Sequence, residues 1–141
     1  AGDPYQGQCE QSAAAIARAA GLAAEQWRIC YQSRVGPLKW IGPPLEEELK
    51  RAAADNTAVI IYPHSFVSEH VETLVELDIE FKHLAQTLGV PGYYRAQTAG
   101  TAPAFIEGLA QLVRQEKIKE RACPDGFGQC GLNDKAAREA A

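Results

Sequence analysis

The spacing of hydrophobic and polar positions changes several times along this chain. Gln8–Ala20 is alanine-rich and reads as a helix, with Gly21 placed to end it. Trp27–Gln32 is apolar and reads as a strand. Ser33–Pro44 holds Gly36, Gly42, Pro37, Pro43 and Pro44, so it reads as a loop. Pro44 suits the first turn of a helix that Leu45–Ala54 continues. Ala58–Pro63 is a short β-branched run of the kind that forms buried parallel strands. Ser68–Leu88 then carries a helical apolar stripe of Leu74, Leu77, Phe81, Leu84 and Leu88, and stops near Gly89. Tyr93–Gln97 reads as a further strand. Pro103 opens a last helix, predicted to bury Phe105, Leu109, Leu112 and Val113. From Arg121 onward the chain is polar and turn-rich.

This alternation predicts an α/β fold with a parallel sheet and helices on both of its faces. In such sheets ligands bind beyond the carboxyl ends of the strands. Ser33–Pro44 and His64–Val67 each follow a predicted strand, so both belong on one rim. The start of the Ser68–Leu88 helix falls at that rim.

On that helix Glu72, Glu76 and Glu80 recur every four residues and share one face. Like charges at this spacing repel one another. Glu69 lies on the same stripe and His70 at its mouth. Carboxylates suit Mg²⁺, Ca²⁺ or Mn²⁺, and carboxylate with imidazole also suits iron. A solvated helix face accounts for the same spacing. Glu69 and Glu72 also favour the positive end of the helix dipole. His70 can ligate metal or move protons, or simply bond to backbone. His64 fits a polar cap on its strand, and His83 a surface position. In the loop, Arg34 and Lys39 can pair with a ligand's carboxylates and Trp40 can stack on a flat ring. A connecting loop whose Trp packs on the core is the other reading.

Composition narrows the classes. The chain has 141 residues, enough for one domain with its own core. A net charge of -4 without a basic cluster argues against nucleic acid as a partner. The longest apolar run, Ala58–Tyr62, is too short to cross a bilayer, and no signal-peptide pattern is present. Methionine is absent and the sequence begins at Ala1, which fits a processed product or a fragment. Cys9 and Cys30 are expected as buried thiols, and Cys123 and Cys130 as the pair more suited to bind something. No phosphate-cradling glycine loop and no nucleophile elbow occur, which disfavours nucleotide-dependent and acyl-transfer enzymes.

Four segments resemble one family in order and separation: Gly2-Asp3-Pro4-Tyr5, Tyr31 to Pro43, Phe66 to Leu74, and Pro103-Ala104-Phe105-Ile106. Together they look like the C-terminal half of ferrochelatase, over Gly2 to about Val113. The resemblance implies insertion of Fe²⁺ into protoporphyrin IX or a related porphyrin, in haem biosynthesis. It implies a Rossmann-like half-domain over residues 1–121, lacking its first strand, and a Cys-containing tail over 122–141. Glu72 then matches the carboxylate at the metal, and His70 the neighbouring pocket histidine. Glu76 and Glu80 match a carboxylate line leading away. Ser33, Arg34, Trp40 and Phe66 fall at the substrate. Fe²⁺ is a substrate here, and no cofactor is required. The implied partners are the porphyrin, ferrous iron and the N-terminal half of the same enzyme. The implied location is cytoplasmic, with peripheral contact at the inner membrane as an addition.

Some features depart from the family pattern. Its Ser-Ala-His motif belongs just upstream of Gly2, outside this sequence. Gln111 stands where some members have Asp, and Gly100 lies near a frequent Asn. With only Cys123 and Cys130 in the tail, a [2Fe–2S] cluster is not expected from this chain alone. Two other readings stand beside this one: a small homodimeric tetrapyrrole chelatase, and a metal- or tetrapyrrole-binding module without turnover.

Overall fold

The computed structural model describes residues 4–32 and 40–114. Ser33, Arg34, Lys39, Cys123 and Cys130 lie outside these residues, so the expectations placed on them are not addressed by the fold.

Helix α1, Tyr5–Ala19, starts three residues before its predicted bound. It closes before Gly21, whose φ of 69° is the left-handed conformation that glycine adopts without steric cost. Its buried positions are Cys9 and Ala17. After a short 3₁₀ turn at Ala24–Gln26, the predicted strand Trp27–Gln32 does not form. What remains is an isolated parallel bridge between Tyr31 and Pro44. The Tyr31 amide donates to the Pro43 carbonyl at 2.9 Å, and the Leu45 amide donates to the Tyr31 carbonyl at 3.0 Å. A strand requires a continuous ladder, and the described residues offer Tyr31 a single bridge.

Helix α2 spans Leu45–Ala54, with extended Pro44 as its N-cap rather than inside its first turn. Glu46, Glu47 and Glu48 occupy the first turn, where the helix dipole favours negative charge. Leu45, Leu49 and Ala52 form its buried stripe. Strands β1 (Val59–Ile61) and β2 (Tyr93–Arg95) pair in parallel, in the register Val59–Tyr93, Ile60–Tyr94 and Ile61–Arg95. Both are shorter than the apolar runs that predicted them. Alternation along each strand turns Val59, Ile61 and Tyr93 to the core. The partners Ile60 and Tyr94 face the other way and are 75% and 63% exposed. Among the described residues, the helices therefore cover one face of this sheet.

The core joins Leu45, Leu49 and Ala52 of α2 to Leu77, Ala85 and Val90, with Phe81, Leu84, Leu88 and Tyr93 packed around them. Leu77 and Ala85 belong to the long helix predicted over Ser68–Leu88. That helix begins later than expected and has two windings. Glu72–Phe81 is π-helical, the winding in which amides bond five residues back, although the Thr73 and Leu74 amides at its start both bond to the His70 carbonyl. Lys82–Leu88, α3, is α-helical and ends at Gly89, φ 80°. The wide turn changes which side chains face inward. An α-stripe buries Leu74, but here Thr73 and Leu77 are buried and Leu74 is exposed. The inward row becomes Thr73, Leu77, Phe81 and Ala85, a constant spacing of four. Four residues are slightly more than one α-turn and slightly less than one π-turn.

The last helix, α4, covers Pro103–Arg114. The sequence predicts a buried side, yet no described residue of α4 is buried, and Leu112 and Val113 are 69% and 79% exposed. Its apolar stripe has the right period, but no described element packs over it.

Candidate functional site

The carboxyl end of β1 runs through Tyr62–Pro63 into a loop that reaches His70, and the π-segment begins two residues later at Glu72. The first residues of that segment are held by their own side chains. The Thr73 hydroxyl oxygen accepts the His70 amide hydrogen at 2.9 Å and lies 3.0 Å from the His70 carbonyl. Thr73 is fully buried, so this local knot fixes the approach of His70 to the helix. In the sequence Thr73 stands only within the Phe66 to Leu74 segment, with no signal of its own.

His70 Nδ1 lies 2.7 Å from a Glu72 carboxylate oxygen. Both side chains are 39% exposed, so the pair sits at the surface of the rim rather than beneath it. The Phe66 ring meets the His70 ring edge-on, with centroids 4.7 Å apart and planes at 76°. With the proton on Nδ1 directed at Glu72, Nε2 keeps a lone pair for a metal or a proton. The Glu72 carboxyl is held below the usual carboxylate range, first by its own backbone N–H and then by His70. It is thus anionic near neutral pH, the state a metal ligand needs.

Gln32 ties the next members together. Its side-chain amide donates to the Glu72 carbonyl at 3.1 Å and reaches a Glu76 carboxylate oxygen at 3.5 Å. The Trp40 indole N–H donates to the Gln32 carbonyl at 3.3 Å. Trp40, Glu72 and Glu76 are thereby joined through one residue that the sequence offered only as the last position of a predicted strand. A cavity of about 580 Å³ opens here, lined by Tyr31, Gln32, Trp40, Ile41, Leu45 and Phe81. Glu80, two steps along the stripe, is exposed. Among the described residues, no three His, Cys, Asp or Glu side chains converge on one metal position. His70 and Glu72 form a pair, and Glu76 and Glu80 follow at intervals along the helix.

On the other side of the π-segment, Arg95 of β2 meets two carboxylates. Its guanidinium takes Asp78 in a two-pronged contact, 2.6 Å at each oxygen, and Glu69 at 2.9 Å. The Thr98 amide also donates to Glu69 at 2.9 Å. These bonds depress the Glu69 carboxyl from 4.5 to about 2, chiefly through the Thr98 amide, then Thr73 and Arg95. Asp78 is likewise lowered, chiefly by Arg95. A carboxyl depressed in the folded state adds stability above its unfolded pKa. That stability is lost as pH falls through the folded value. Stability of the wild-type chain is therefore expected to decline between pH 4.5 and about 2 through this group, and Glu69→Gln to flatten that slope. Acid titrations followed by circular dichroism check this, and equal slopes contradict it.

Cys9 and Cys30, the cysteines among the described residues, lie apart from these contacts. Cys9 is buried, and burial with the nearby Glu48 pushes the Cys30 thiol up to about 11, so it stays protonated.

The fold and this rim define an α/β chain that presents a histidine–carboxylate pair at the mouth of an acidic helix. The family model described as Ferrochelatase matches residues 1–117. The chain is 56% identical to "Ferrochelatase" of Caulobacter vibrioides over 81% of this chain and 33% of that protein. It is 48% identical to "Ferrochelatase" of Phenylobacterium zucineum over 95% of this chain and 41% of that one. For "Ferrochelatase" of Wolbachia pipientis the identity is 50%, over 79% and 34%. The chain belongs to the ferrochelatase family, and it spans about a third to two fifths of the length of these relatives.

Proposed function

We propose that this chain forms one wall of a tetrapyrrole metal chelatase site that inserts Fe²⁺ into a porphyrin during haem synthesis. The 2.7 Å contact of His70 with Glu72, at the mouth of the acidic helix, is the observation that carries this reading. The family membership supplies the reaction class.

Insertion must strip water from Fe²⁺, remove the pyrrole protons and bring the ion to the ring face. Glu72 and His70 perform the first two tasks: oxygen and nitrogen ligands replace water, and the same groups accept protons. Glu76 and Glu80 lead the ion along the helix face to that pair. Phe66 and Trp40, with Ser33 and Arg34, border the macrocycle, and Arg34 pairs with its carboxylates. The remaining wall comes from protein outside these 141 residues, since the relatives are far longer. The chain alone is accordingly a metal-binding half with little chelatase activity.

A Zn²⁺ titration of the chain, read by NMR, tests the ligand assignment. Shift changes are expected to concentrate at His70, Glu72 and Glu76, and Glu76→Ala to weaken binding without moving the His70 response. Changes spread evenly over the surface, or none, would leave the stripe a solvated helix face.

A further inference from the structure

A ten-residue π-helix is unusually long, because π winding occurs mostly as single-turn bulges. Something beyond the helix must favour it over α winding. Helix-forming sequence does not supply the preference: Glu72–Phe81 has no proline and no glycine to interrupt an α-ladder. Gln32 bonds to the Glu72 carbonyl at its first residue, and strand β2 acts further along it. Tyr93 donates its hydroxyl to the Leu77 carbonyl at 2.9 Å, so a side chain occupies a main-chain acceptor inside the π-segment. At the adjacent residue, Arg95 grips both oxygens of Asp78. The same guanidinium reaches back to Glu69, ahead of the segment, and to the Ala96 carbonyl at 3.1 Å. The Arg95 side chain is only 9% exposed.

These contacts depend on the winding. Between Glu72 and Asp78 the α and π paths diverge by roughly a third of a turn. Rewound as an α-helix, the segment would carry Asp78 away from Arg95 while Glu69 stayed on it. The Leu77 carbonyl would turn from Tyr93 in the same motion. His70, Glu72 and Glu76 all lie between the two points that Arg95 holds.

We propose that Arg95, assisted by Tyr93, is a positioning residue that sets the π winding of Glu72–Phe81 and so the spacing of the His70, Glu72 and Glu76 side chains. Its bearing on metal rests on the function proposed above. The guanidinium fork is essential to this role, because it must serve Asp78 as a planar pair and Glu69 at once. A lysine ammonium keeps the charge and loses that geometry.

NMR couplings across hydrogen bonds read the winding directly. In the π form the Leu77 amide couples to the Glu72 carbonyl, and in the α form to the Thr73 carbonyl. The full chain, Arg95→Lys, and the double variant Arg95→Met with Asp78→Asn are compared, each also titrated with Zn²⁺. The expected result is coupling to Glu72 in the wild type and to Thr73 in both variants. Amide exchange in α2 should stay unchanged, and Zn²⁺ affinity should fall about tenfold. Coupling to Glu72 retained in the variants overturns the proposal. Should the double variant fail to fold, Arg95→Lys alone decides, by the same coupling. A wild type that ignores Zn²⁺ while the variants switch register overturns the metal reading and supports the role of Arg95. Zn²⁺ binding without any switch does the reverse.

Discussion

Leu77→Ala is expected to lower the stability of the chain by about 2–5 kcal/mol. Leu77 is fully buried and joins α2 to the π-segment through the shared core with Leu45, Leu49 and Ala52. Truncation removes transfer free energy and leaves a cavity in the core that Leu77 shares with Leu45, Leu49, Ala52, Ala85 and Val90. Small domains hold only about 5–15 kcal/mol in total, so a loss of this size moves the unfolding midpoint far. Urea unfolding followed by circular dichroism measures it, as a lower midpoint with an unchanged slope. The neighbouring apolar position Leu74 serves as the control. An α-stripe makes Leu74 and Leu77 equal core members, but the observed winding exposes Leu74. Leu74→Ala is accordingly expected to cost well under 1 kcal/mol. Similar losses at the two positions would contradict the winding described for Glu72–Phe81.

That pair of leucines also marks the limit of what could be read from the sequence. Helix α2 was legible because Leu45, Leu49 and Ala52 follow α spacing and Pro44 marks the entry. The two strands were legible as apolar β-branched or aromatic runs, and Gly21 and Gly89 as helix ends. The π winding was not legible. Its signal, a repeat of four, is compatible with either winding, and nothing local separates them. The strand expected at Trp27–Gln32 failed for a different reason. Its apolar pattern is real, but strand formation depends on a distant partner, which among the described residues Pro44 alone supplies, at Tyr31.

The site divides in the same way. His70, Glu72 and Glu76 stand close in sequence, so residue type and spacing pointed to them. Phe66 reaches His70 across one short loop. Gln32 and Arg95 act at long range: Gln32 bonds to the Glu72 carbonyl, and Arg95 to Asp78 and Glu69. Neither carries a local signature, since a glutamine in a loop and an arginine in a strand are ordinary. Only the parallel pairing of β2 with β1, and the helix laid against it, brings Arg95 to its two carboxylates.

The central claim is that Glu72 acts on the metal and on the pyrrole protons during insertion. It is tested most directly in a chimera, where this chain replaces the segment it matches in the Caulobacter vibrioides protein, 56% identical over 115 residues. The rate of Zn²⁺ insertion into protoporphyrin IX is measured with and without Glu72→Gln. That substitution keeps shape and hydrogen bonding while removing the negative charge and the basic oxygen. The account predicts a fall of about 10²-fold or more, as for loss of a general base, with the fold and the melting temperature little changed. An insertion rate within about twofold of the unsubstituted chimera would contradict it, because catalysis by a positioned base contributes far more than that.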